Sequence, residues 1–326
     1  MGGMGGGTLT PPPFDAGPLP SDGGAFVWTP LVDNTNLDAF THVRAFAPGD
    51  VWMTATVSPA AIEHFVFYAV DGGADVTVFT DDPFVDLELT RSPARVYATT
   101  ATEVVWCDRT DGGCFNPGAW GTAFPADPGD TLGGLCTDGV RAYGVGRTAG
   151  GSGALFNLGA TSFARKRIFL GTGPLFDCWV RADGVVIASG TGRLAYELAD
   201  GGTYEVDVTA AGLSSPASIQ WTAIHGAGFT TFISGSSNQL VEVGYDGTFT
   251  VAHSASQRLV SIAGVHPLEL YAGGGTALAR WNGATWSPAP PIAPRFRLLD
   301  LSAANANTYY AVGVDDGGAQ LFRGRR

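Results

Sequence analysis

The chain has little lysine, little charge and no helical periodicity. Only 15% of its 326 residues are charged, and Lys166 is the single lysine among 18 cationic residues. A soluble domain ordinarily carries roughly 25% charged residues. The formal net charge of −12 argues against nucleic acid as a partner, because such binders need a cationic footprint to displace counterions from phosphates. The run Arg165, Lys166 and Arg167 is the one basic cluster, and it reads as a solvated loop. No run of 18 apolar residues occurs, so no transmembrane helix is expected. No stretch of ten or more residues repeats its apolar positions every 3.6, which excludes a helical solenoid. Ala60–His64 is the one place where a helical turn could form.

Chemical motifs are missing as well. There is no G-x-S-x-G elbow, no D-x-[DN]-x-[DN]-G calcium frame and no C-x₂-C pair. The glycine runs GVGRTAGGSG and YAGGGTAL each lie between two strands. No helix N-terminus is there to receive a phosphate, and no lysine follows. The five histidines, His42, His64, His225, His253 and His266, fall in different parts of the chain and read as turn or packing residues. The acidic stretch Asp71, Asp75, Asp81, Asp82, Asp86 and Glu88 offers the hard oxygens that calcium takes. Without the calcium frame it reads as a solvated edge. Neither a metal nor a cofactor is expected.

Glycine and short apolar runs are what the chain has instead. Gly accounts for 47 of 326 residues, and hydrophobic residues reach 45%, enough for a core. The stretch Arg258–Pro290 predicts four strands, at Leu259–Ala263, Leu268–Ala272, Ala277–Trp281 and Thr285–Ser287. The breaks between them are Val265–Pro267, Gly273–Gly275 and Asn282–Gly283. Asn-Gly between apolar runs is a strong hairpin signal, because both residues tolerate positive φ. The first break, followed by a strand ending in a small residue, recurs at Gly49, Ala94, Gly139, Gly184, Gly228, Pro267 and Asn307. The spacings are 45, 45, 45, 44, 39 and 40 residues. Four short strands in each period of ~40–45 residues is the signature of a propeller blade.

The expected fold is therefore all-β: a seven-bladed β-propeller of four-stranded blades. The seventh unit ends at AQLFRGRR without its last strand, and the N-terminal segment AFVWTPLV is an orphan strand. Ala25–Val32 is expected to pair with Ala319–Arg323 and close the ring, leaving no open sheet edge. Residues 1–23, rich in Gly and Pro, read as a flexible tether to a propeller spanning 24–326.

The c–turn–d rhythm of DGGTY at Asp200–Tyr204 and DGTF at Asp246–Phe249 resembles the aspartate-box, BNR-like superfamily of β-propeller repeats. That superfamily includes sialidases and photosystem II assembly factors. The boxes here are shortened, and the resemblance implies a turn-stabilising role for them, away from any catalytic face. The Gly/Pro-rich start resembles the linkers of bacterial envelope lipoproteins. That likeness would place a lipid anchor upstream of residue 1 and the protein in the periplasm, at the outer membrane or outside the cell.

The four cysteines permit three pairings. Cys107 and Cys114 flank the turn of one hairpin, so a bridge between them is geometrically easy. Cys136 and Cys178 fall in the first strands of consecutive units with opposite side-chain parity, so neighbouring blades can point them at each other. Disulfides favour an oxidising compartment; the alternative is four reduced thiols in the cytosol.

Variable loops on a rigid ring suit binding. The connections leading into each first strand, and those between the second and third strands, are expected to carry the ligand surface, with Asp82, Asp86, Asp130, Arg258 and Arg295 as binding residues for a protein or a surface glycan. No catalytic residue is assigned, and a monomer is expected. The rival reading is a sialidase-like glycoside hydrolase. It needs arginines gathered on a substrate carboxylate, for which Arg44, Arg91, Arg258 and Arg297, near the starts of first strands, are the candidates.

Overall fold

A computed structural model describes residues 26–326 apart from 35, 58–62, 71–72, 81, 110–113, 124–126, 159–162 and 172. Among the described residues the strands pair into seven four-stranded antiparallel sheets. Among the described residues two single-turn 3-10 helices, Pro117–Ala119 and Pro216–Ser218, lie between them, and no helix is long and apolar enough to cross a membrane. The sheets are blades of a β-propeller, numbered 1 to 7 along the chain, with strands lettered a to d from the axis outward.

Blade 1 comprises Ala39–Ala47, Asp50–Val57, Glu63–Val70 and Gly73–Thr80, and blade 2 Asp86–Arg91, Ala94–Thr99, Val104–Asp108 and Gly121–Ala123. Blade 3 comprises Thr131–Thr137, Ala142–Arg147, Gly153–Leu158 and Phe163–Phe169, and blade 4 Leu175–Val180, Val186–Gly190, Arg193–Glu197 and Thr203–Asp207. Blade 5 comprises Trp221–Ala227, Thr230–Gly235, Gln239–Val243 and Phe249–Ser254, and blade 6 Ser261–His266, Glu269–Gly274, Ala277–Trp281 and Trp286–Pro288. Blade 7 takes Arg297–Asn305, Thr308–Asp315 and Gly318–Arg325 from the C-terminus, and Val27–Asn34 from the N-terminal side is its strand d. The seven a strands neighbour one another in a closed cyclic order around the axis.

Burial follows from face-to-face stacking of the blades. Strand b is covered on both faces, so Val186–Gly190 and Glu269–Gly274 are buried throughout. The outer strand Thr203–Asp207 has no buried residue. Hydrophobic clusters sit between neighbouring blades. One joins Phe40, Val43 and Met53 of blade 1 to Tyr310, Val312 and Leu321 of blade 7.

The small residue that recurs at the end of strand b has a steric cause. Opposite Gly146, Gly235 and Gly313 the neighbouring strand a carries a bulge, between Leu132/Gly134, Trp221/Ala223 and Leu298/Asp300. A Cβ at those glycines would collide with the backbone carbonyls of Thr131, Gln220 and Arg297. A bulge inserts one residue and re-aims the next side chain. Here it turns one residue of each affected a strand toward the axis.

Several expectations need correction. Strand d of blade 7 is Val27–Asn34 rather than Ala25–Val32, two residues later. Trp28 sets that register by lying flat against Gly324, where a Cβ would come within 3.0 Å of the indole. Phe26, just ahead of the strand, packs edge-on against Tyr309 at 5.0 Å. Ala25 and the tether 1–23 lie outside the described residues.

Strand a of blade 6 begins at Ser261 rather than Leu259; Val260, just ahead of it, donates its N–H to Gly273 O. Glu63 and His64 open a strand and form no helical turn; residues 60–62 lie outside the described residues. Arg165 to Arg167 lie in strand d of blade 3 rather than in a loop, because Arg165 is drawn into a bidentate ion pair with Asp130. The segments Asp200–Tyr204 and Asp246–Phe249 each contain an aspartate that closes a turn. Asp246 Oδ1 accepts from Thr248 N at 3.1 Å and Thr248 Oγ1 at 2.7 Å, and Asp200 Oδ1 accepts from Gly202 N at 2.9 Å.

Candidate functional site

The a strands enclose a channel of about 660 Å³ along the axis. At one level each blade contributes one residue, in five of the seven blades just after a bulge in strand a. In ring order these residues are His42, Asp86, Gly134, Asp177, Ala223, Ser261 and Asp300. Two residues further along each strand lie Arg44, Glu88, Cys136, Trp179, His225, Ala263 and Ser302, and all of these line the same channel.

Each of the seven junctions between neighbouring a strands carries at least one link made by these side chains. From blade 7 to blade 1, Asp300 Oδ2 accepts from Val43 N at 2.9 Å. From 1 to 2, Arg44 reaches Asp86 at 3.3 Å and Glu88 at 3.5 Å. From 2 to 3, Asp86 Oδ2 accepts from Leu135 N at 2.7 Å. From 3 to 4 the link is covalent, the Cys136–Cys178 disulfide. From 4 to 5, Asp177 Oδ2 accepts from Ile224 N at 2.9 Å. From 5 to 6, His225 Nε2 lies 2.9 Å from Gly264 O and donates to it. From 6 to 7, Ser261 Oγ donates to Asp300 Oδ1 at 2.6 Å and accepts from Leu301 N at 3.1 Å.

The electrostatics follow from this packing. Burial works against the charge of Arg44, but Asp300 at 2.7 Å, with Asp86 and Glu88, outweighs it and holds the guanidinium above its usual range. Burial pushes the Glu88 carboxyl up to about 7, against the pull of Arg44. Burial also raises Asp177 well above the carboxylate range, with repulsion from Asp86 adding to it. Burial lowers His225 to about 4, so its imidazole is neutral, with the proton on Nε2 facing Gly264 O. His42 is lowered by the same cause. Among the described residues no group of three or more His, Cys, Asp or Glu is arranged to hold a metal ion.

The residues expected to bind divide into three kinds. Asp82, Arg258 and Arg295 are exposed at the end of the ring where chains enter strand a. Asp82 accepts from Thr102 Oγ1 at 3.1 Å, Arg258 donates to Thr222 Oγ1 at 2.9 Å, and Arg295 pairs with Asp316 at 2.7 Å. Asp130 belongs to the same set of connections, but it is buried and consumed by Arg165 and by Ala149 N at 3.1 Å. Asp86 is buried in the channel wall, and Glu88 beside it lines the channel, so this end of the acidic stretch is no solvated edge. Asp71 and Asp81 lie outside the described residues.

Cys107–Cys114 and Cys136–Cys178 are both disulfides. The four arginines are not gathered. Arg44 sits mid-channel, Arg91 ends its strand on an exposed rim, and Arg258 and Arg297 are exposed at the other end. Arg44 and Arg91 are therefore not near strand starts, because strand a of blade 1 begins earlier, at Ala39, and strand a of blade 2 begins at Asp86.

Sequence reasoning missed Asp177, Trp179 and Asp300, and it scattered His42 and His225, which the ring brings to one channel. A signal was present. Asp86, Asp177 and Asp300 precede their turn markers Ala94, Gly184 and Asn307 by eight, seven and seven residues.

No protein-family model and no curated protein sequence matches the chain. Solved structures do resemble it in shape. A catalytically inactive variant of virginiamycin B lyase from Staphylococcus aureus, with quinupristin, superposes with a TM-score of 0.71 at 12% identity, over 92% of this chain and 99% of that one. U3-55K gives 0.68 at 9% identity over 92% and 98%, and YCF48 bound to D1 peptide gives 0.64 at 12% over 95% and 100%. These likenesses establish the β-propeller fold alone.

Proposed function

We propose that the protein is a non-catalytic binding scaffold, exported to the cell envelope or beyond. In this reading it holds a protein or a surface glycan on the loops leading into its a strands. The observation that carries the reading is how the channel's ionisable groups are used. Arg44, Asp86, Asp177, His225 and Asp300 each tie one blade to the next. A general acid or base must be free to meet a substrate proton, whereas these groups already serve backbone donors, acceptors or one another. The exposed polar side chains of Asp82, Arg258 and Arg295 stand on connections that can vary without disturbing the ring. Neighbours of the same fold include YCF48 bound to D1 peptide, which supports a peptide or protein partner.

The two disulfides accord with an oxidising compartment. Residues 1–23 would then act as a spacer from a bacterial envelope anchor, and the propeller would work as a monomer. A sialidase-like hydrolase draws no support from Arg44, which is committed to Asp86, Glu88 and Asp300. A glycan array and a panel of immobilised envelope peptides, run beside chromogenic glycosides that include a sialoside, test the proposal. The expected result is saturable binding with no turnover. Alanine at Asp82, Arg258 or Arg295 should weaken that binding by less than ~1 kcal/mol each, as for ordinary interface residues. Turnover abolished by a single substitution would overturn the scaffold reading.

A further inference from the structure

Three aspartates occupy the same position of the repeat, and among the described residues only two of them have a cation at ion-pair distance; Arg44 acts on Asp177 from farther away. Asp86 and Asp300 each accept backbone N–H groups and also an Arg44 nitrogen, at 3.3 Å and 2.7 Å. Among the described residues the Asp177 carboxylate accepts only from Cys178 N at 2.7 Å and Ile224 N at 2.9 Å. In the repeat, the residue equivalent to Arg44 in blade 3, between Asp86 and Asp177, is Cys136. Its sulfur is bonded to Cys178, so that blade supplies no charge there.

The channel wall on this side is otherwise prepared for a guest. Glu88, Trp179 and His225 line the same cavity. The Trp179 ring packs on the His225 ring at 4.4 Å between centroids. Because His225 Nε2 donates to Gly264 O, its Nδ1 is left as a lone-pair acceptor with no hydrogen-bond partner among the described residues. In total the channel lining sets five carboxylates, Asp86, Glu88, Asp138, Asp177 and Asp300, against two guanidiniums, Arg44 and Arg91. Burial is the main reason the Asp177 and Glu88 carboxyls are raised, and repulsion from Asp86 adds to it.

We propose that the side of the channel formed by Glu88, Asp177, Trp179 and His225 binds an organic cation, an ammonium or guanidinium group borne by a free amine or by a basic side chain of a peptide. Carboxylate and imidazole acceptors would take its N–H groups, and the indole would meet its charge through the ring quadrupole. A bare metal ion fits less well, since the Asp177 oxygens already accept backbone N–H groups. The cavity of about 660 Å³ lies within the size range of small-molecule sites. This site is separate from the exposed loops, so it stands or falls independently of the scaffold reading.

Isothermal titration of the full chain with agmatine, and separately with the capped peptide Gly-Gly-Arg-Gly-Gly, is the test, using wild type, Glu88→Gln and Asp177→Asn. Glu88 makes no backbone link across a blade junction, so Glu88→Gln keeps the ring intact and decides the matter even if Asp177→Asn fails to fold. The expected result is saturable binding of at least one probe, weakened about tenfold or more in Glu88→Gln, as for loss of a charge-assisted hydrogen bond. Binding of agmatine alone identifies a free amine as the source, and tighter binding of the peptide identifies a basic side chain. Absence of saturable heat with both probes up to ~10 mM, or binding that Glu88→Gln leaves unchanged, overturns the proposal.

Discussion

Glu88 and His225 should leave opposite and nearly cancelling marks on the pH dependence of stability. The Glu88 carboxyl, ordinarily near 4.5, is pushed to about 7 in the folded protein. Between those values the folded state holds a proton that the unfolded state has released, so stability falls as pH rises from 4.5 to about 7. At about 1.4 kcal/mol per tenfold change in proton affinity, the effect is on the order of 3 kcal/mol. His225 runs the other way. Its imidazole, ordinarily near 6.5, is lowered to about 4, so the unfolded state binds the extra proton. Stability therefore rises between about 4 and 6.5, again by something on the order of 3 kcal/mol. The wild-type balance of these two groups should be almost flat from pH 4.5 to 6.5. Glu88→Gln removes the falling component and should make the protein gain a few kcal/mol on going from pH 4.5 to 6.5, relative to wild type. His225→Gln keeps an N–H for Gly264 O and should do the reverse. Urea unfolding at pH 4.5, 5.5 and 6.5 reads the difference directly, because every other titrating group is common to the three proteins. A Glu88→Gln profile parallel to wild type would refute both the burial of that carboxyl and the compensation.

The fold was largely legible because a propeller repeats its punctuation. Gly139, at φ +88°, closes the a–b turn of blade 3 in a region that L side chains avoid; its counterparts recur at the blade period, so counting turns counts blades. The opposite parity of Cys136 and Cys178 was readable for the same reason, since alternation along a strand survives without knowing the register. The channel chemistry was far less legible. Whether Asp177 and Asp300 point inward depends on a bulge one residue earlier, and a bulge is decided by where the neighbouring strand has room, here Gly190 and Gly313 opposite Leu175 and Leu298. Alternation counted through an unseen bulge assigns the wrong face to everything beyond it. Asp130 was misjudged for a different reason. Its partner Arg165 is 35 residues away in strand d of the same blade, and no local pattern announces that pairing.

The remaining predictions concern what holds the ring. Deleting residues 1–34 removes the strand whose register runs from Val27↔Arg325 to Asn34↔Ala319 and should lower the unfolding midpoint sharply, whereas deleting 1–22 should leave it within error; equal midpoints would contradict a closing role for that strand. Serine at Cys136 and Cys178, which are 42 residues apart, should cost about 4 kcal/mol by loop-closure entropy, against about 2.5 kcal/mol for Cys107 and Cys114, 7 apart, and denaturant titration of the two double mutants gives the order. Finally, Asp300→Ala should be worse than Asp177→Ala, although the two residues occupy equivalent positions. Asp300 serves Val43 N, Leu301 N, Ser261 Oγ and Arg44 Nη1, and its loss leaves buried donors unmet and Arg44 short of an acid, about 3–5 kcal/mol. Asp177 serves only Cys178 N and Ile224 N, and burial already disfavours its charge, so its removal also relieves a penalty and should cost about 1–2 kcal/mol. Calorimetric midpoints that rank the two alike would mean that the number of donors each carboxylate meets does not set its contribution to the ring.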